Sequence, residues 1–162
     1  MNSDEIDLIL RRNVGSEFLG VFSADTIPNL IFFPCCYVVN TDPARLPGKH
    51  WVAYYHASFK SHEFFDSFGE HPSSYSLPTY PNLLYNQKSV QSLTSNVCGQ
   101  FCVFFLYHRC HSLSLSRIVT ILSNVRDPDQ HVCTFVCRLD SRIPHQYCTR
   151  NCQCSIARNK FI

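Results

Sequence analysis

The sequence predicts one globular domain that mixes strands with helices, and three observations carry that prediction. The chain has 162 residues, the length of a single domain, and at that length roughly 68–70% of the unfolded surface can be buried. Hydrophobic residues make up 45% and aromatics 14%, while charged residues are only 16%, under the usual roughly 25%. A packed, aromatic-rich interior follows; long solvated helices and a disordered majority do not. Finally, segments with the strand signature fall between residues 30 and 68, and segments with helical period or length fall at 3–13 and beyond 98.

In chain order, Asn2 followed by Glu5 has the pattern of a capping box, and Ile6, Ile9 and Leu10 recur at helical spacing, so 3–13 is a helix. Gly15 and Gly20 break the stretch that follows. Leu30–Phe33 and Cys35–Asn40 are apolar and β-branched, and predict extended structure with an irregularity at Pro34. Thr41–Lys49 is a loop, marked by Asp42-Pro43 and Pro47-Gly48. His50–Ala57 and His62–Phe68 are strands by composition, joined by a short hairpin turn at Ser58–Ser61. Gly69–Pro81, rich in Ser, Pro and Tyr, is an irregular surface loop. Cys98–Cys110 is apolar nearly all round; its aromatics favour a strand, but its length favours a buried helix. Ser114–Ser123 and Asp127–Arg138 are two further helices, the second opened by Asp127 and Pro128 in N-cap and N1 positions.

The net charge is +2, from 14 basic and 12 acidic residues, too small to point to nucleic acid or an acidic membrane. Residues 1–12 carry acids where a signal peptide needs bases, and the longest uncharged stretch begins with polar residues, so no membrane span is expected. Ten cysteines are the compositional oddity. Without a secretory signal, and with enough chain to build a core, they are expected to be reduced thiols inside a cell.

Four features then stand in chain order: His50-Trp51 opening a strand, Asp66 at the end of the next, Gln91, and Cys98-Gly99 opening the apolar helix. A thiol nucleophile needs a base, the base an orienting acid, and a tetrahedral oxyanion needs donors. A hairpin centred near Ser58 pairs His50 directly with Asp66 on one face of the sheet. Cys98 at a helix start is stabilised as thiolate by the helix dipole. Gly99 is expected to leave room for substrate backbone, and the Cys98 N–H together with the Gln91 amide would form a two-donor oxyanion hole.

Phe18-Leu19-Gly20-Val21-Phe22, Gly48-Lys49-His50-Trp51-Val52-Ala53, Phe65-Asp66-Ser67-Phe68-Gly69, and Gln91-Ser92 through Cys98-Gly99-Gln100-Phe101-Cys102 closely resemble the adenoviral cysteine protease (adenain) family. The segments also resemble the copies of that family in virus-like transposons of the Maverick/Polinton type and related integrated viruses. The resemblance covers roughly residues 1–138. It implies a papain-like α+β fold of the ubiquitin-like-protease type, with a mixed sheet packed against a buried helix that carries the nucleophile. By position it implies His50 as general base, Asp66 as acid, Gln91 as oxyanion donor and Cys98 as nucleophile, with Trp51 and Gly99 on the substrate side. It also implies cleavage after glycine in Gly-Gly or Gly-X-Gly contexts, a protein or peptide substrate, no cofactor, a monomer, and an activating peptide or DNA as partners. The acid is Asp where the adenoviral enzyme has Glu, and Gln100 stands where an apolar residue is common.

The chain divides into a protease domain over 1–138 and a tail over 139–162, the tail holding four basic residues against one acid. Cys35, Cys36, Cys102 and Cys110 read as core thiols, and His56, His62, His108 and His111 as half-buried strand or helix residues. Cys133, Cys137, Cys148 and Cys152, with Cys154 and His145 nearby, have a spacing that zinc can use. Cys133 and Cys137 share one face of a helix, however, and the reading favoured here is core packing with no metal.

Overall fold

The computed structural model of the chain describes residues 1–140 and Arg142. Helix α1 spans Ser3–Asn13. The capping box is closed in both directions, Glu5 N–H to Asn2 Oδ1 and Asn2 N–H to Glu5 Oε2, each 2.9 Å. Acids occupy its first turn and Arg11 and Arg12 its last, complementing the helix dipole. Its buried stripe is Ile6, Ile9 and Leu10, as the spacing predicts.

Five strands follow: β1 Phe18–Ser23, β2 Cys35–Asn40, β3 Trp51–Ser58, β4 Ser61–Phe65 and β5 Leu84–Tyr85. They form one mixed sheet in the order β1-β2-β3-β4-β5. The β1–β2 and β4–β5 pairs are parallel; the two central pairs are antiparallel. Alternate residues divide the sheet between two cores. Cys36, Val38, Ala53, Tyr55 and Phe65 face one, Tyr37, Val39, Val52, Tyr54 and Phe64 the other.

The first core is closed by helices. Helix α2, Cys98–Cys110, has eight consecutive buried residues, Gly99 to Leu106, which is why its sequence is apolar on every side. Phe105 stacks on Phe65 at 4.8 Å. Helices α3, Leu115–Asn124, and α4, Pro128–Leu139, complete this layer. The α4 N-cap is Asp127, whose carboxylate accepts from Gln130 N–H at 2.9 Å. The second core is covered instead by residues of the segments that connect the strands, among them Ile27, Leu30, Tyr75 of a short 3-10 turn, Leu77 and Tyr80.

The structure departs from the sequence reading in four places. Phe18–Ser23 is a strand, although Gly20 reads as a breaker. The pairing slips between Phe18 and Gly20, and Gly20 takes a φ of 140° that a side chain rarely adopts, so the glycine marks an irregularity inside a strand. Residues 30–33 are not in the sheet: β2 begins only after Pro34, which has no N–H for a ladder, and Ile31 is exposed. The β3–β4 hairpin pairs Ala53 with Phe65 and Tyr54 with Phe64, two residues away from the expected register, because Ser58 pairs with Ser61 and the turn is centred on Phe59 and Lys60, not near Ser58; the shift between His56 and Ser58 takes back one residue of the difference. His50 and Asp66 are therefore diagonal neighbours, not direct partners. An even slip keeps every side chain on its face, so they still meet. Finally, the folded unit continues past residue 138. Leu139 ends α4, and buried Asp140 caps it, pairing with Arg12 of α1 at 3.3 Å and with Arg142.

Candidate active site

His50 immediately precedes β3 and Asp66 immediately follows β4, so the sheet presents both at one end. Strand β4 stops at Phe65 because the Asp66 backbone turns to Asn86, whose side chain accepts its N–H at 2.9 Å and donates to its carbonyl. The fully buried carboxylate is satisfied on all sides. Oδ1 accepts from His50 Nε2 at 2.5 Å and Phe68 N–H at 3.0 Å; Oδ2 accepts from Glu70 N–H at 3.0 Å and the Tyr75 hydroxyl at 2.8 Å.

With Nε2 committed to Asp66, the other ring nitrogen of His50 is left for Cys98, the first residue of α2, which lines the same groove and is close enough for each group to shift the other's pKa. The imidazole lies between Phe68 and Tyr75, with ring centres at 4.9 and 5.7 Å.

The electrostatics follow. Burial alone would lower the His50 pKa, but the hydrogen bonds to Asp66 and Cys98, and their charges, raise it to about 9. Burial likewise opposes ionisation of Cys98. It is outweighed by the hydrogen bond and charge of His50 and by the backbone N–H groups of Trp51 and Gly99, so the thiol pKa falls below its ordinary value. Burial would raise Asp66, and His50, Phe68 and Tyr75 pull it down instead. Each shift favours a charged row: carboxylate, imidazolium, thiolate. One turn on, burial and the nearby Cys98 charge push the Cys102 thiol far up, leaving it inert.

A groove of about 890 Å³ opens over these residues, lined among others by His50, Trp51, Gln91, Leu93 and Cys98. Gln91 is buried, and its amide orientation is fixed: Oε1 accepts from Ser67 Oγ at 2.6 Å and Nε2 donates to Ser95 O at 2.9 Å. One amide hydrogen remains beyond the bond to Ser95.

Trp51 is half-buried on the groove, its indole N–H donating to Met1 O at 3.2 Å. Gly99 lies elsewhere than expected. It is buried, and a side chain there would meet Met1 Cβ at 3.1 Å and Ile6 Cδ1 at 3.2 Å, so its missing side chain lets α1 pack against α2. What Gly99 turns toward the nucleophile is its N–H.

No protein-family model matches the chain, and no curated protein does. Among solved structures, the selenomethionine form of the ASFV pS273R protease aligns with a TM-score of 0.50 over 86% of this chain, at 19% identity. The chain spans 66% of that protein's length. The fold is papain-like α+β.

Sequence reasoning missed Tyr75, Asn86 and Ser67, which hold Asp66 and Gln91 in place. Tyr75 lies in a segment without hydrophobic period, and no local pattern distinguishes it from the other loop tyrosines. His56 and His62 read as half-buried, yet both are buried and paired, Nδ1 to Nδ1 at 2.8 Å, on the far side of the sheet from α2. Cys35, Cys36 and Cys102 are buried thiols as expected. Among the described residues no group of metal-binding side chains occurs, and no helix is long and apolar enough to cross a membrane. His145, Cys148, Cys152 and Cys154 lie outside the described residues, as does most of the basic tail.

Proposed function

We propose that this chain is a cysteine endopeptidase of the adenain-like type that cleaves peptide bonds after glycine, maturing structural proteins of a virus or virus-like transposon. The observation that carries the reading is the Cys98–His50–Asp66 row at the floor of an open groove, with the thiol pKa lowered and the imidazole pKa raised. An ion-paired thiol has little use in a purely structural protein, where burial keeps cysteines neutral, as it does at Cys102.

In the proposed reaction the Cys98 thiolate attacks the carbonyl carbon of the scissile peptide. The oxygen, now negative, is received by the Cys98 N–H and the remaining Gln91 amide hydrogen. His50 gives its proton to the departing amine, the C–N bond breaks and a thioester remains. Neutral His50 then takes a proton from water, whose oxygen adds to the thioester; collapse releases the acid and restores thiolate and imidazolium. Throughout, Asp66 holds the ring with Nε2 turned away from the thiol and stabilises its charge. Glycine specificity, the viral setting, and an activating peptide or DNA rest on the resemblance of the Phe18–Phe22, Gly48–Ala53, Phe65–Gly69 and Gln91–Cys102 segments. A ubiquitin- or SUMO-type deconjugating activity would use the same chemistry on a folded partner with a Gly-Gly terminus.

The test is cleavage of Gly-Gly-containing peptides and of a Gly-Gly-terminated ubiquitin-like conjugate. Cys98→Ala should abolish turnover with the fold intact, and Cys102→Ala should keep most of it. Equal loss in both variants, or full activity in Cys98→Ala, contradicts the assignment. Preference for the folded conjugate over the peptide would favour the second substrate class.

A further inference from the structure

The groove contains a hydrogen-bond donor that the catalytic scheme does not use. Asn40 ends β2 and pairs with Trp51, the residue after His50. It is 92% buried, from a relative exposure of 8%, yet it lines the same groove as Cys98. Its side-chain oxygen is fully employed, accepting from Asp42 N–H at 3.0 Å and Lys49 N–H at 3.3 Å. These bonds fold the 41–49 loop over the strand end, and they also fix which amide atom is which.

The Nδ2 group therefore points the other way, and no described residue accepts from it. Unlike the oxygen of Gln100, it is not sealed from solvent. Gly48 lies against this amide and leaves it room. A Cβ at Gly48 would stand 2.5 Å from Nδ2 and 2.9 Å from Cγ, and the glycine's φ of 87° is one that side chains rarely adopt. A largely buried amide on the lining of a groove, with its oxygen clamped and its N–H₂ without an acceptor among the described residues, is a preorganised donor, and a donor there calls for an acceptor from the ligand.

We propose that Asn40 is a substrate-binding residue: its Nδ2 donates to a main-chain carbonyl oxygen of a peptide that crosses Trp51 on its way to Cys98. A main-chain carbonyl is the acceptor that every residue of an extended peptide carries, so this contact sets the position of the chain whatever its side chains. The proposal rests on the peptidase reading of the groove but is tested by binding, which needs no turnover.

The measurement is the affinity of a fluorescein-labelled Gly-Gly-containing peptide for the full chain carrying Cys98→Ala, with and without Asn40→Asp. Aspartate keeps the acceptor that holds the loop and replaces the donor by a second acceptor. Binding should weaken at least about tenfold. In the chain with Cys98 intact, Asn40→Asp should raise KM far more than it lowers kcat, and should leave rapid alkylation of Cys98 unchanged. A variant-free readout is the Asn40 side-chain amide resonance, which should shift on peptide binding to the Cys98→Ala chain. Unchanged affinity, or, should Asn40→Asp lose the fold, an unmoved amide resonance, overturns the proposal. Binding that depends on Asn40 without cleavage by the intact chain would leave this proposal standing and remove the peptidase reading. Absence of any peptide binding would remove both.

Discussion

His50 Nε2 and Asp66 Oδ1 stand 2.5 Å apart although neither residue belongs to the strand whose end it marks. The carboxylate has four donors, so it cannot rotate to follow the ring; the ring is held to the carboxylate. Asp66→Asn should remove the charge that helps keep the His50 pKa near 9. The ion pair is lost as pH rises through the imidazole pKa, so the alkaline limb of kcat/KM should move to lower pH and narrow the bell. The loss at the optimum should be smaller than in His50→Ala. The limbs belong to the coupled pair and not to either residue alone.

Gln91→Ala should behave differently. If its spare amide hydrogen receives the oxyanion, kcat should fall by about 10²–10³, with little change in the rate of Cys98 alkylation, because alkylation develops no oxyanion. Loss of both together would assign Gln91 to holding Ser67 and Ser95 in place instead.

The His56–His62 pair predicts acid sensitivity away from the active site. Burial, then the charge of His62, lowers the His56 pKa from 6.5 to about 4. Between these values the unfolded chain binds a proton that the folded chain excludes. Stability from this group is therefore full above pH 6.5 and lost as pH falls toward 4. Thermal unfolding should show Tm falling across that window, and the fall should shrink in His56→Phe, whatever that variant's stability at neutral pH.

The tail offers a truncation test. A chain ending after Arg142 keeps Leu139 and the Asp140 pairing with Arg12, and should fold and turn over like the full chain. Ending after Arg138 removes both, and the lost ion pair alone should lower Tm by about 2–4 °C, for roughly 1 kcal/mol. Elemental analysis of the full chain should find well under one zinc per chain. Stoichiometric zinc that disappears on mutating Cys148 and Cys152 would make the tail a metal-held module.

Much of this architecture is legible in the sequence because local rules and tertiary packing agree. The α1 capping box, the length of α2 and the Asp127-Pro128 start of α4 are each written within a few residues. The pairing of His50 with Asp66 was legible as a face but not as a register. Period-two alternation fixes which side of a sheet a residue occupies, while the offset depends on where the turn is centred, at Phe59 and Lys60, and on an irregularity between His56 and Ser58, neither of which a residue type announces. Strand β1 was hidden by Gly20, and the supports Tyr75 and Asn86 come from segments without period, placed by hydrogen bonds to Asp66 formed only after folding. Gly99 was misread for the same reason: the helix that packs against it is distant in sequence, and its smallness serves Met1 and Ile6.

The central claim is that Cys98 rests as a thiolate paired with the His50 imidazolium, and the pH dependence of its alkylation by iodoacetamide tests it most directly, followed by mass spectrometry of the peptide carrying Cys98. The lowered thiol pKa predicts a rate that stays high well below pH 8 and drops in His50→Ala, while Cys102, its pKa pushed far up, stays unmodified in the folded chain. A Cys98 rate that rises only above about pH 8, as for an ordinary thiol, and is indifferent to His50, would contradict the account and leave Cys98 a core cysteine at the edge of a groove.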